Sequence, residues 1–192
     1  GGGCQAIPNL QTRCSFGPIR YMSRPRDGRA LRTSMLTMMD APPAMGAYRA
    51  LGTVANLYNS KLGAHVRFQA LPTPFDVYTD GIENPVFEEF GAGTEALHLE
   101  DVDARRQLMG APGYQQMFRK QWTSKVAPRA YHRNLSEARI VSAPDTSLDG
   151  RTFAEVAAQR GADPLDTFLD LQATYGNDLR WYTVIANANP GH

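Results

Sequence analysis

The spacing of the apolar residues changes period twice in the first half of the chain, and this constrains the fold more than any other feature. Residues 31–39 form a short apolar run that ends at Asp40 and two prolines, as a buried strand does. Over residues 44–62, apolar side chains recur every three or four positions, as on one face of a helix. Residues 65–71 then alternate apolar and polar side chains, which is typical of a strand. Strand, helix and strand with short connections predict a βαβ unit and a parallel sheet.

A pair of helices is predicted near the end of the chain from their capping residues. Thr152 and Glu155 have the spacing of a capping box, in which the hydroxyl accepts the Glu155 N–H and the carboxylate reaches back to residue 152. Gly161 ends this helix. Asp163 then caps a second helix, whose first position is Pro164, where the missing N–H costs nothing. A strand is predicted after this pair, over residues 181–188.

The middle of the chain is predicted to be an insertion. Residues 72–100 are rich in proline, glycine, aromatic and acidic residues, and we interpret them as an ordered long loop with little regular structure. Loops of this length inside a compact domain are usually functional or belong to a lid. Two helices follow, over about residues 101–109 and 113–124. We therefore interpret residues 72–135 as a lid-like helical insertion within one domain that covers residues 1–192.

Charge and composition exclude several classes of function. The formal net charge is +1, from 20 basic and 19 acidic residues, which gives no electrostatic basis for binding nucleic acid or an anionic membrane. No apolar run approaches the roughly 20 residues needed to span a bilayer, and no signal-peptide pattern opens the sequence. The two cysteines, Cys4 and Cys14, are too few for a disulfide framework. These features predict a cytoplasmic protein with neither nucleic-acid nor membrane partners.

Polar residues at or near strand ends are the candidates for a site. Asp40 follows a strand at the carboxyl end, where barrel enzymes place their chemistry, although capping the next turn would also explain it. Asn9 lies near the end of a predicted strand over residues 4–10, and Gln69 lies near the end of another. His98 lies among acidic residues, as a ligand or proton-transfer group or as an exposed loop histidine. We predict these four as substrate-binding residues and identify no catalytic residue.

Metal ligands and nucleophiles lack the spacing that their chemistry needs. The four histidines are isolated in the sequence, and none is paired at metal-ligand spacing. His65, at the start of a predicted strand, is interpreted as structural. No Gly-x-Ser-x-Gly motif is present. The sequence therefore predicts no metal-binding residue and no cofactor held by this chain alone.

Three segments carry a resemblance to a known family. Residues 150–171 read GRTFAEVAAQRGADPLDTFLDL, and this run resembles the segment before the last barrel strand in the N-acyl-D-amino-acid deacylases of the metal-dependent amidohydrolase superfamily. Residues 64–75, AHVRFQALPTPF, resemble that family's strand that ends in a glutamine and a proline-containing turn. Residues 103–118, DARRQLMGAPGYQQMF, resemble its helical insertion. The resemblance covers most of the chain and corresponds to the later part of the barrel.

The resemblance implies an α/β fold, a partial TIM-barrel-like (β/α) segment with parallel strands. It also implies zinc-dependent hydrolysis of an N-acyl amino acid, in which the metal activates water and an acid releases the amine. The family's His-x-His motif and the aspartate of its last strand have no counterpart here, and Thr73 stands where the family often has arginine. We therefore expect this chain to be part of an amidohydrolase and to be inactive on its own. The alternative is a non-catalytic binding or scaffold module. Open sheet edges predict a homo-oligomer or poor solubility.

Overall fold

The computed structural model describes residues 29, 32–38, 40, 46, 48–71, 73–124 and 131–188. It has a mixed α/β fold with helices and small sheets, divided into two compact units. The first unit contains the described residues up to Phe75 together with residues 185–188, and the second contains the rest. The strand predicted over residues 4–10, and with it the candidate Asn9, lies outside the described residues.

The first unit contains the predicted βαβ arrangement. It consists of β1 (Arg32–Met38), α1 (Tyr48–Leu62) and β2 (His65–Ala70). The two strands are parallel, with Arg32 opposite His65, so the predicted βαβ unit is confirmed. Gly63 adopts the left-handed conformation expected just after a helix, with φ of 60°.

Helix α1 is held against β2 by apolar packing and by one side chain. Ala55 packs against Val66, and Phe68 lies at the edge of the same small core. The Asn59 amide donates to the Val66 carbonyl at 2.9 Å and accepts the Val66 N–H at 2.7 Å. Both polar groups of the Val66 backbone are therefore bonded to the helix.

The prediction that residues 72–100 form a long loop with little regular structure is wrong. This segment contains β3 (Phe75–Asp80), a 3₁₀ helix (Pro85–Glu89) and α2 (Gly91–Leu97). Asn84 starts the 3₁₀ helix by accepting the Val86 N–H at 3.0 Å. These elements are short, and packing within the second unit stabilises them rather than a periodic pattern of their own, so the sequence does not reveal them.

The helices predicted from residue 101 onward are confirmed. Helices α3 (Val102–Gly110) and α4 (Pro112–Trp122) begin and end close to the predicted residues. Helices α5 (Phe153–Arg160) and α6 (Pro164–Tyr175) form the predicted capped pair. The capping box is complete, and Gly161 ends α5 with φ of 63°. None of the helices in the described part of the chain is both long and apolar enough to cross a membrane.

The second sheet departs from the predicted parallel arrangement. It has three strands in the order β3, β5 (Arg180–Ala186) and β4 (Arg139–Ser142). Strands β4 and β5 are antiparallel. Strand β5 confirms the strand predicted at 181–188, whereas the four-residue β4 was not predicted, because it is too short to show alternation. The fold is therefore mixed α/β, and a partial parallel barrel remains a proposal.

Aromatic side chains form the core of the second unit. The ring centroids of Phe87 and Phe168 are 6.0 Å apart in a stacked arrangement, and Trp181 meets both rings edge to face. The Trp181 indole N–H donates to the Gly81 carbonyl at 2.7 Å. The cluster joins helices to strands through these residues: Phe87, Phe90, Phe118, Trp122, Phe153, Phe168 and Trp181.

A buried arginine ties three segments of the second unit together. Arg105 on α3 is 6% exposed. Its guanidinium donates to the carbonyl oxygens of Ala96 at 3.1 Å and Leu99 at 2.7 Å, and to Glu83 Oε1 at 2.8 Å. Hydrogen bonds from Arg105 and then from Asn177 hold the pKa of Glu83 below its ordinary value. Since the charge of Arg105 is fully compensated inside the unit, we assign it a structural role.

Candidate functional site

The polar groups that follow the strands of the first unit come together in one cluster. Asp40 lies just beyond β1, Leu71 directly follows β2, and Asn187 directly follows β5. The strand-end cluster consists of these residues with Gly46 and Thr73. Because β1 and β2 are parallel, their carboxyl ends lie at the same edge, which is where α/β proteins commonly bind ligands.

Asn187 links the strand ends through four hydrogen bonds. Its side-chain oxygen accepts the Asp40 N–H at 2.7 Å, and its own N–H donates to the Asp40 carbonyl at 2.8 Å. Its amide nitrogen donates to the carbonyl oxygens of Leu71 at 2.7 Å and Thr73 at 3.0 Å. Asn187 has φ of 58°, a left-handed conformation that asparagine tolerates better than most residues. Its polar groups are used to hold the backbone, so it acts as a positioning residue.

The Asp40 side chain is buried within this cluster. The residue is 6% exposed, and one carboxylate oxygen accepts the Gly46 N–H at 2.6 Å. This bond closes the turn after β1, as the capping interpretation of Asp40 predicted. A carboxylate at this edge of the sheet can also accept a hydrogen bond from a ligand N–H or take up a proton. Asp40 therefore caps the turn after β1, and it also lies where its carboxylate could contact a ligand.

A basic side chain lies in the electrostatic field of Asp40. The Arg49 Nε donates to the Tyr48 hydroxyl at 3.2 Å, and the guanidinium lies over the Tyr48 ring, 5.6 Å from its centroid. The pKa of Arg49 is raised by this hydrogen bond and the charge interaction with Tyr48, and to a smaller extent by the charge of Asp40. The first turn of α1 thus adds an exposed positive charge near a buried carboxylate.

The other predicted site residues do not join the strand-end cluster. Gln69 is exposed on β2, opposite Leu36, and its side chain has no hydrogen bond to another described residue. His98 is exposed in the second unit, where it follows α2 and its N–H donates to the Thr94 carbonyl. Their assignment as substrate-binding residues stays a prediction.

Asn187 is not among the residues predicted from the sequence, although a usable signal is present. It lies near the end of the strand predicted at 181–188, as Asn9 and Asp40 lie at or near strand ends. The strand was predicted to end two residues too late, so Asn187 was taken as part of the strand rather than as the residue after it. A polar residue able to adopt positive φ at a strand end is the signal to look for.

His132 is half-buried in the second unit, and its contacts indicate a structural role. Its Nδ1 accepts the Asn134 N–H at 2.9 Å, which means that the neutral ring carries its proton on Nε2. Nε2 then donates to the Val184 carbonyl at 2.8 Å. Since both ring nitrogens are used within the unit, His132 has no lone pair available for a metal ion in this arrangement.

The described residues do not by themselves provide a zinc site. No group of three or more histidine, cysteine, aspartate or glutamate side chains in this part of the chain comes together in a way that could hold a metal ion. Catalytic zinc takes three protein ligands and a water. The zinc that the sequence resemblance implies therefore does not fit the described residues alone.

Replacing Asn187 is expected to destabilise the first unit. Asn187→Ala removes three side-chain hydrogen bonds, two of them to partly buried backbone groups, and places alanine at positive φ, for a loss of about 3 kcal/mol. Asn187→Gly relieves the backbone strain but not the lost bonds, so we expect a smaller loss of about 2 kcal/mol. Amide hydrogen exchange in β1 and β2 measures both. Equal protection in the wild type and both variants would contradict a stabilising role for the hydrogen bonds of Asn187.

Comparison with known proteins gives relatives but no established family. No protein-family model matches the chain. The chain is 44% identical over 164 residues to an uncharacterized protein of Mycobacterium tuberculosis and, equally, to one of Mycobacterium bovis. These matches cover 84% of this chain and 27% of each relative, so the chain spans about a quarter of the length of the curated relatives it matches.

A solved structure also shows a distant likeness. It is the crystal structure of an N-acyl-D-glutamate deacylase from Bordetella bronchiseptica, complexed with zinc and a phosphonate inhibitor. The sequence identity is 14% and the TM-score is 0.37, with 81% of this chain and 22% of that chain covered. The similarity to the mycobacterial proteins covers most of this chain, whereas the likeness to the N-acyl-D-glutamate deacylase structure is weak.

Proposed function

We propose that this chain is part of an amidohydrolase that hydrolyses the amide bond of N-acyl amino acids, including those of D configuration, and that it is inactive as this segment alone. The observation that carries the proposal is the buried Asp40 at the carboxyl ends of parallel strands, with its backbone held by Asn187. The resemblance of residues 150–171 to the deacylases supports it, and this segment folds as two capped helices.

In this proposal the substrate is a small acyl amino acid that approaches the strand-end cluster. Asp40 would accept a hydrogen bond or a proton from the substrate, and Asn187 would keep Asp40 in place through its backbone. The exposed Arg49 supplies a positive charge that suits a carboxylate substrate. The low cysteine content agrees with a cytoplasmic enzyme.

A non-catalytic binding or scaffold module is the second candidate function. One observation favours it: the strand-end cluster bonds mainly to itself, since Asn187 uses its side-chain oxygen and nitrogen on backbone groups of the same unit. A module of this kind would keep the strand ends rigid and bind a ligand without turnover.

The proposal is tested by measuring hydrolysis of N-acyl amino acids by the longer protein of which this chain is proposed to be a part. We expect release of amino acid from a panel of N-acyl-D- and N-acyl-L-amino acids when zinc is present, and no turnover by the 192-residue chain. Asp40→Asn keeps the shape of the side chain and removes its charge, so kcat/KM should fall about 10²- to 10⁴-fold, the usual contribution of a general acid or base.

The control for this experiment is Asp76→Asn. Asp76 is exposed on β3 and has no ion pair with another described residue, so its replacement should leave kcat/KM unchanged. Full activity of Asp40→Asn would remove Asp40 from the mechanism. Absence of turnover in the complete protein, with zinc bound, would favour the scaffold module.

Self-association is part of the same proposal. Within the described residues, β1 and β2 pair only with each other, so their other edges are open except at Val66, whose backbone bonds to Asn59. Open edges pair with other strands, so the isolated 192-residue chain should form dimers or larger species at high concentration. Light scattering measures this directly, and a monodisperse monomer at high concentration would contradict the expectation.

A further inference from the structure

One face of the β1–β2 sheet carries a group of basic side chains that the proposed function does not use. Side chains alternate along a strand, and Val66 on β2 packs toward α1. The neighbouring positions on β2, His65 and Arg67, therefore lie on the opposite face. Arg32 is opposite His65 in the register and Ser34 is opposite Arg67, so these four side chains form a two-by-two arrangement. We call them the basic face.

Among the described residues, those that line a cleft beside the basic face include no acidic side chain. The cleft has a volume of about 340 Å³, and Thr33 lines it together with the four residues of the basic face. Arg32, Ser34 and Arg67 are exposed, and His65 is half-buried. None of these four side chains has a hydrogen bond or an ion pair with another described residue. The positive charges are therefore uncompensated within the described part of the chain.

The register places the two arginines on the same face of the sheet, on neighbouring strands. Strands in a sheet are about 4.8 Å apart and alternate residues along a strand about 6.6 Å apart. The Cα atoms of the two arginines therefore lie at opposite corners of a small rectangle. Like charges at this range repel one another, and this repulsion disfavours the arrangement when nothing is bound. An anion between them would remove the repulsion and accept hydrogen bonds from both guanidinium groups.

The donors on this face match an oxyanion better than any other ligand. Guanidinium groups present paired N–H donors whose geometry fits carboxylate and phosphate oxygens. Ser34 adds a hydroxyl donor, and His65 adds a ring N–H. The volume is at the small end of the range for ligand pockets, which suits a single charged group rather than a large molecule.

We propose that the basic face is a binding site for an oxyanion, held by Arg32 and Arg67 with Ser34 and His65 as further donors. This inference goes beyond the proposed function and does not depend on it. The oxyanion has two sources: a free phosphate-type ion, or a side-chain carboxylate on an acidic strand segment. Both present the same oxygens to the same four side chains.

Titration calorimetry on the 192-residue chain tests the proposal in two arms. The first arm uses inorganic phosphate, and the second uses a short peptide of alternating glutamate and valine. In at least one arm we expect saturable binding with one site per chain, which weakens as sodium chloride is added. The double variant Arg32→Gln/Arg67→Gln should weaken that binding about tenfold or more, because charged hydrogen bonds are lost.

Two further variants complete the experiment. His65→Gln keeps an N–H donor and both arginines, so it reports on the site if the double variant fails to fold, and a loss of less than fivefold is expected. Arg160→Gln changes an exposed arginine on α5 and should leave binding unchanged. Binding of the peptide alone would assign the oxyanion to a side-chain carboxylate. No saturable binding in either arm, or equal binding by the double variant, would overturn the proposal.

Discussion

Replacing Gly93 by alanine is expected to destabilise the second unit by about 3 kcal/mol or more. Gly93 is buried in α2, and a Cβ there would lie 2.8 Å from the carbonyl carbon of Phe87 and 3.0 Å from the Phe87 Cβ. The obstacle is backbone of the adjoining 3₁₀ helix, which cannot rotate away as a flexible side chain can. Because Phe87 stacks on Phe168 in the aromatic core, any shift that relieves the clash would also disturb that packing.

Urea denaturation followed by tryptophan fluorescence measures this change. Both tryptophans of the chain, Trp122 and Trp181, belong to the core of the second unit, so their emission reports on that unit. Gly91→Ala is the matched control, because it lies in the same helix and its Cβ would be 3.7 Å from the nearest atom, Gln121 Oε1. We expect Gly91→Ala to change stability by less than about 1 kcal/mol. Equal midpoints for the two variants would show that the 3₁₀ helix moves freely.

Replacing Arg105 by methionine is expected to destabilise the second unit by about 3 kcal/mol. The change keeps an unbranched apolar side chain and removes every hydrogen bond of the guanidinium. The carbonyl oxygens of Ala96 and Leu99 then lose a donor in the interior, and an unpaired buried acceptor costs about 1–3 kcal/mol. The same fluorescence measurement applies. Arg160→Met, at an exposed position of α5, should cost less than about 0.5 kcal/mol.

The ion pair of Arg105 with Glu83 is expected to contribute less than the bonds to backbone, because the Glu83 side chain is 47% exposed. The pKa of Glu83 is lowered in the folded protein by Arg105 and Asn177. Its contribution to stability is therefore complete above the unfolded pKa of about 4.3, and it is lost as pH falls through the lowered folded pKa. Glu83→Gln should remove this part of the acid destabilisation. An unchanged pH profile would show that the pair contributes nothing.

Part of the candidate site could be predicted from the sequence, because the spacing of apolar residues and the prolines that follow them indicate where a strand ends. Asp40 was identified in this way, and the structure buries it at the carboxyl end of β1. Its partner Asn187 could not be identified with it, since 147 residues separate them and no local pattern records the pairing. Gln69 and His98 were chosen by the same local logic, and the structure joins neither of them to Asp40 within the described residues.

Local rules determined the elements that the sequence predicted well. The Thr152–Glu155 capping box, the Asp163 cap and the left-handed Gly161 involve residues within a few positions of one another, so sequence alone specifies them. The βαβ unit was also predictable, because a change of period from strand to helix and back implies a parallel crossover.

Only the tertiary structure decided the features that join distant residues. The burial of Arg105 depends on carbonyl groups and a carboxylate from other segments, and a sequence shows it only as a basic residue on a helix. The antiparallel pairing of β4 with β5 depends on how the chain between them folds back. The basic face depends on register, which places side chains from β1 and β2 next to one another. Non-local contacts of this kind form only when the chain packs, and their partners are therefore not encoded in any single stretch of sequence.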